Sequence, residues 1–162
     1  MAEGITLKAT LRMLVYAGIA KPSPKLGQAL GPYGVNMMQF CKEFNERTSM
    51  FKPEAPMRVK LKAYSDRSFK FVVKPPPTSW FLKRAAGVAK GSDSSKLYKV
   101  GKVGIKYIYE IAKIKIEADP DLQGIDIKHV CRMIISQADA MGLEVVEDVD
   151  LPEIINIPVK AK

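Results

Sequence analysis

The sequence predicts an α+β protein of two small domains: a small antiparallel β-sheet packed with a helix, then a mainly three-helix domain. Three observations predict it. Two stretches in the N-terminal part alternate apolar and polar side chains, the period of a half-buried strand. Later stretches repeat apolar residues every three or four positions, the period of an amphipathic helix. Between the two regimes stands Lys74-Pro75-Pro76-Pro77, and consecutive prolines favour an extended, semi-rigid segment over a strand or a flexible coil. The predicted domains are residues 1–74, a linker of 75–77, residues 78–148 and a terminal extension of 149–162. A chain of 162 residues with 47% hydrophobic content has the material for a packed core rather than a disordered coil.

The first strand is read from Ile5 to Met13, with Ile5, Leu7, Ala9, Leu11 and Met13 facing the core and Thr6, Lys8, Thr10 and Arg12 facing away. Lys21 to Asn36 follows, holding Pro22, Pro24 and Pro32 together with Gly27, Gly31 and Gly34. Proline fixes φ and removes a donor, while glycine opens conformations that other residues avoid. The segment is therefore either a loop shaped to press against another molecule or an ordinary strand-to-helix connection. Val35 to Arg47 reads as a helix with a stripe of Val35, Met38, Cys41 and Phe44, and Phe40 beside it. Met57 to Tyr64 is the second strand, burying Met57, Val59, Leu61 and Ala63. Its other face carries Arg58, Lys60 and Lys62, either the solvent side of the sheet or a contact for RNA or a partner. Ser65 to Ser68 turns the chain, and Phe69 to Val73 returns as the third strand.

In the second domain Thr78 is the expected N-cap of a helix over Ser79–Ala86, closed by Gly87. Lys90 to Lys102 holds Lys90, Lys96, Lys99 and Lys102 among glycines and serines, with few apolar anchors. Such a segment is expected to stay mobile until something acidic orders it. Ile105 to Glu117 is the next helix, with Ile105, Ile108, Tyr109, Ala112 and Ile116 inward, and Pro120 ends the connection after it. Ile125 to Met141 is the last, apolar at Ile127, Val130, Cys131, Ile134, Ile135 and Ala138 and closed by Gly142. Leu143 to Val149 reads as a short strand or an extended edge.

The chain carries 26 Lys and Arg against 17 Asp and Glu, a net charge of +9. Residues 1–74 hold thirteen basic and five acidic residues, 75–142 eleven and seven, and 143–162 two and five, so the folded body is basic and the tail acidic. A basic body favours a polyanion as partner, nucleic acid before membrane. Cys41 and Cys131 are far apart, neither belongs to a Cys-x-x-Cys pair, and His129 is the only histidine, so no metal site, cofactor or disulfide framework is expected. Buried thiols in a reducing compartment fit this usage. No run of apolar residues is long enough to span a membrane, and no secretory or clear transit signal opens the chain. None of the phosphate-loop, zinc-protease or serine-hydrolase signatures is present, and His129 has no triad spacing around it, so an enzyme is not expected.

Ala17-Gly18, Pro22-Ser23-Pro24, Gly27, Ala29-Leu30-Gly31, Gly34-Val35-Asn36 and Gln39 to Asn45 follow one another in a recognisable order and spacing. Asp66-Arg67-Ser68-Phe69, Leu82 to Gly87 and Met141-Gly142-Leu143 continue it, so the series covers about residues 5–148. In these residues the chain resembles the large-subunit ribosomal protein eleven family of the bacterial and organellar type. The runs Phe40–Thr48 and Tyr109–Lys115 are closest to mitochondrial members, which points to the mitochondrial matrix over the bacterial cytoplasm.

The resemblance implies a structural constituent of the large subunit at the stalk base, in the GTPase-associated centre. Its C-terminal domain would be the RNA-binding one, clamping a compact fold of large-subunit rRNA, and its N-terminal domain would face translational GTPases such as elongation factor G. Stalk-base ribosomal proteins are the implied neighbours. On this basis the expected RNA contacts are Lys83, Arg84, Gly87, Lys90, Lys96, Lys99, Lys102, Arg132, Ala140, Met141 and Gly142, with small Ala140 and Gly142 permitting close approach. The segment expected to face factors and thiopeptides carries Pro22, Ser23, Pro24, Gly27 and Gly31, and the hinge is Pro75, Pro76 and Pro77. The chain departs from the family where Lys25 and Gln28 replace prolines, Ser136 replaces a helix glycine and Asp139 replaces an arginine. A free-standing RNA-binding regulatory protein is the alternative.

Overall fold

A computed structural model describes residues 5–147; the terminal extension and the end of the expected 143–149 strand lie outside the described residues. The chain divides into two compact units between Lys74 and Pro75.

In the first unit β1 (Leu7–Tyr16), β2 (Pro56–Tyr64) and β3 (Phe69–Lys74) form an antiparallel sheet in the order β1-β2-β3. The registers Leu11↔Leu61 and Leu61↔Phe71 bring the apolar alternation of all three strands to one side. There Val15, Met57, Val59, Leu61, Ala63 and Phe71 are buried. Helix α2 (Met37–Thr48) brings Phe40 and Phe44 against that side, the Phe40 ring lying 5.3 Å edge-on from Phe71 and 5.9 Å from Phe44. Large rings with this offset and edge-on geometry supply most of the packing energy of so small a core.

Two expectations change here. Strand β1 starts later and runs on to Tyr16, leaving Ile5 and Leu7 66% and 53% exposed. The pair Leu7↔Tyr64 is the last rung, reached after a register irregularity, so nothing of β2 lies beyond to cover them. Met38 is 65% exposed because Val35 precedes the Asn36 N-cap and cannot set the helical phase. The true buried row is Phe40, Phe44 and Thr48, spaced by four, with Cys41 beside it.

The second unit packs helices α3 (Thr78–Ala86), α4 (Ile105–Ala118) and α5 (Ile127–Ala140) around Phe81, Leu82, Ile108, Ile111, Val130 and Ile134. Pro77, extended at φ −62° and ψ 147°, occupies the N-cap of α3, and Thr78 is the first helical residue rather than the cap. Ile105 and Tyr109 stand 46% and 45% exposed; the inward row of α4 is Ile108, Ile111, Ala112 and Lys115. Helix α4 has more apolar residues than one buried stripe can take, so sequence alone could not choose among them. A two-stranded parallel sheet, β4 (Gly101–Gly104) with β5 (Leu143–Val146), was not expected. Four residues with glycine at each end carry no alternation, and the partner strand is distant in sequence.

Candidate nucleic-acid interface

The basic segment between α3 and β4 is folded back on the C-terminal end of α5. Gly87, left-handed at φ 66°, ends α3 by donating to Arg84 O, and Val88 N–H reaches Lys83 O at 3.0 Å. This double closure caps the helix end that carries Lys83 and Arg84, where basic residues oppose the negative pole of the helix dipole. The Arg84 guanidinium also lies 5.0 Å over the Trp80 ring. From there the chain crosses α5: Ser92 N–H donates to Met141 O at 2.9 Å and Val100 N–H to Gly142 O at 2.8 Å. The β4–β5 pairing Gly101↔Leu143 and Lys102↔Glu144 completes the junction. The segment is thus held along its length by backbone bonds, where sequence composition had pointed to a coil awaiting a ligand.

This arrangement gathers Lys90, Lys99, Lys102, Met141 and Gly142 at one end of the unit. Lys83, Arg84 and Gly87 adjoin it, since a side chain at Gly101 would meet Ala86, Val88 and Leu143 within 3.4 Å. Arg132 and Ala140 are exposed on α5 itself. Arg132, Ser136 and Asp139 follow one another at helical spacing, and the Ser136 hydroxyl turns back to Arg132 O at 3.0 Å.

Two details revise the expected chemistry. The tight approach at Gly142 is made by the chain itself. Its φ is +77°, and a Cβ there would stand 2.4 Å from Ser92 Cβ. Gly142 is buried and works by seating the basic loop. The lysines, moreover, have carboxylates at hand: Lys90 with Asp93 at 2.7 Å, Lys102 with Glu144 at 3.7 Å, and Lys99 with Asp139. All are solvent-exposed pairs, worth about 1 kcal/mol or less, so a phosphate can replace the carboxylate at small cost. Sequence reasoning overlooked the apolar members of this surface. Leu97 and Tyr98 are 76% and 69% exposed between Lys96 and Lys99, and Met133 is 57% exposed on α5. An exposed tyrosine flanked by lysines was the available signal.

The Pro/Gly segment of the first unit is also more ordered than a loop. Pro24–Leu30 is a helix, α1, and Gly31–Tyr33 a 3-10 turn. Ser23 Oγ accepts from Leu26 N–H at 3.3 Å and Pro24 opens the first turn, two standard devices for starting a helix. Gln28 lies inside α1, where a proline would remove a helical donor. Within residues 21–36 only Gly34 uses a left-handed φ, at +73°, and it packs against the Arg67 side chain of the 65–68 turn. Gly27 and Gly31 have ordinary helical conformations, and a methyl group on either would touch nothing within 4 Å. Asn45 positions the entry to α1, accepting from Ala20 N–H at 2.8 Å and donating to Ala20 O at 2.9 Å. Thr48 accepts from Gly18 N–H at 2.9 Å. Pro75 and Pro76, at the start of the second unit, are buried.

Among the described residues no three potential metal ligands cluster, and no helix is long and apolar enough to cross a membrane. Both thiols are pushed up from their ordinary values, Cys41 by burial and Cys131 by burial and then by the Asp126 carboxylate, which favours the protonated form over the reactive thiolate. A basic, partly apolar surface on the helical unit is the chemistry of a nucleic-acid-binding protein. Comparison with known proteins fixes which kind. Residues 11–69 match the family model "Ribosomal protein L11, N-terminal domain" and residues 74–145 match "Ribosomal protein L11, RNA binding domain". The chain is also 42% identical over 142 residues to the large ribosomal subunit protein uL11m of Schizosaccharomyces pombe, a match covering 87% of this chain and 97% of the relative. The chain belongs to the ribosomal protein L11 family, a structural and non-enzymatic constituent of the large ribosomal subunit with an RNA-binding domain.

Proposed function

We propose that this protein occupies the stalk base of the mitochondrial large ribosomal subunit, holding rRNA with its second unit and presenting its first to translational GTPases such as elongation factor G. The observation that carries the first half is the seating of the 88–102 segment on the end of α5. It brings lysines, Tyr98 and the α3 terminus onto one surface of a unit matched to an RNA-binding domain. Folded RNA is bound through shape, phosphate and 2′-OH contacts, with exposed aromatics stacking on splayed bases. Lys83, Arg84, Lys90, Lys96, Lys99, Lys102 and Arg132 supply the cations, Tyr98 a stacking face, and Ala140 and Met141 the close-packed shoulder.

The factor-facing role of α1 is supported by Gly27 and Gly31. Glycine in a helical conformation costs up to about 1 kcal/mol relative to alanine, and among the described residues no neighbour requires it. A partner pressed on the helix would. Pro75–Pro77 then act as the hinge between anchor and factor surface, and stalk-base proteins would be the neighbours.

Gradient sedimentation of a mitochondrial lysate tests the placement: the protein should co-migrate with the large subunit and bind a stalk-base rRNA fragment. Finding it only in the soluble fraction, without binding that RNA, would overturn the placement in favour of a free-standing RNA-binding regulator. Replacing Pro75→Gly, Pro76→Ser and Pro77→Gly together should leave RNA affinity nearly unchanged while impairing factor-dependent GTP hydrolysis. Equal loss of both would refute the hinge.

A further inference from the structure

The more basic half of the chain is not the half matched to an RNA-binding domain. Residues 1–74 hold thirteen Lys and Arg against five Asp and Glu, while 75–142 hold eleven against seven. The fold shows where much of this excess goes. Strands β1, β2 and β3 contain seven lysines and arginines and no aspartate or glutamate. Phe40 and Phe44 occupy the apolar side of the sheet, so residues of the other parity form its outer face. The pairings Arg12↔Lys60↔Val72 and Thr10↔Lys62↔Lys70 set cations side by side across all three strands, and Arg58 and Lys74 continue the rows in the next rung. Arg12, Lys62 and Lys70 are exposed and Lys60 is half-buried.

Such a face is not what a merely solvated sheet needs. Solubility is served by interspersed charges of both signs, whereas cations placed directly opposite one another in a ladder repel and destabilise the pairing. A single-sign face concentrates a field suited to a polyanion. We infer that the outer face of the β1–β2–β3 sheet is a second RNA-contacting surface, binding the phosphate backbone of large-subunit RNA without reading bases.

The side chains favour phosphate over base stacking and over an acidic protein. Sheets that stack bases present aromatic side chains along their open strands; here the middle of β2 offers Arg58, Lys60 and Lys62, and the aromatics of the outer parity, Tyr16 of β1 and Tyr64 of β2, stand only at strand ends. Cations on this lattice lie about 4.8 Å apart across strands and about 6.6 Å apart along them, a two-dimensional array rather than one apolar groove for a helix. Leu14 and Val72 are the only large aliphatic residues among them, 61% and 48% exposed, and they are too few to bury a peptide's apolar stripe. The inference rests on the chain sitting on large-subunit RNA and extends that contact to the first unit.

The test uses the full chain. A photo-crosslinking residue, benzoylphenylalanine, replaces Lys62, Lys70 or, as the reference in the second unit, Lys96, and each variant is assembled into large subunits and irradiated. RNA adducts at 62 and 70 support the inference. Adducts at 96 with only protein adducts, or none, at 62 and 70 overturn it while leaving the rRNA role of the second unit intact; silence at all three overturns both. In solution, R12Q/K60Q/K62Q/K70Q should bind a stalk-base rRNA fragment about tenfold more weakly, with its salt slope flattened by roughly 0.7–0.9 for each phosphate no longer neutralised. K60R/K62R/K70R, which keeps the charge, should bind like the unaltered chain. An unchanged slope in the glutamine variant, with its fold intact by circular dichroism, counts against the inference.

Discussion

The Lys99 ammonium donates to the Asp139 carboxylate, tying the basic segment to the last turn of α5 across a sequence separation of 40. The fold gives Asp139, an acid in a basic neighbourhood, a partner inside the chain. The pair engages one of the cations proposed above to meet RNA phosphate.

Asp139→Asn should therefore tighten binding to a stalk-base rRNA fragment and steepen the salt dependence of log K by up to about one unit of slope. Folding stability should fall by no more than about 1 kcal/mol, because both side chains are substantially exposed. Filter binding across a salt series and a denaturant melt measure the two effects. Weaker RNA binding by the variant would show that the pair orders the loop for RNA instead of competing with it.

Two glycines separate backbone strain from steric seating. Gly87→Ala should cost about 1–2 kcal/mol, the penalty for a left-handed residue with a side chain, since open space surrounds it. Gly142→Ala adds a collision with Ser92 Cβ to the same backbone penalty, so its loss should be larger, at least about 2–3 kcal/mol. It should also lower RNA affinity by displacing the 88–102 segment, which a urea melt and a binding titration would show together.

Gly27→Ala should stabilise the free protein by about 0.5–1 kcal/mol, because alanine is the better helix former and the site has room. On the ribosome the same methyl group should impair factor-dependent GTP hydrolysis if a partner presses on α1. Stabilisation with full factor activity would remove α1 from the factor-facing surface.

The thiols give a pH prediction with a definite sign. Burial raises Cys41 above the ordinary thiol range, so its thiolate appears in the native protein only at more alkaline pH than in the unfolded chain. Iodoacetamide should modify native Cys41 at least about tenfold more slowly than the denatured chain at pH 8, and half-buried Cys131 should react first. Mass spectrometry of the time course measures both.

The three strands of the first unit were legible because they rest on local chemistry, the period-two alternation of a half-buried sheet. The family was legible for the same reason, since its short motifs lie close along the chain. Other features needed the fold. The Pro/Gly segment became a helix because Ser23 caps it and Asn45 fixes its entry from another element. Strand β4 exists only because Leu143–Val146 arrives beside it, and Gly142 is glycine because Ser92 is folded onto it. The same holds for charge. Composition alone made the chain basic, but only strand register set Arg12, Lys60, Lys62 and Lys70 on one face, and only the return of the loop gave Lys99 its acid. Sequence determined what each segment prefers by itself; tertiary structure decided which distant residues meet, because contact across the fold leaves no periodic trace along the chain.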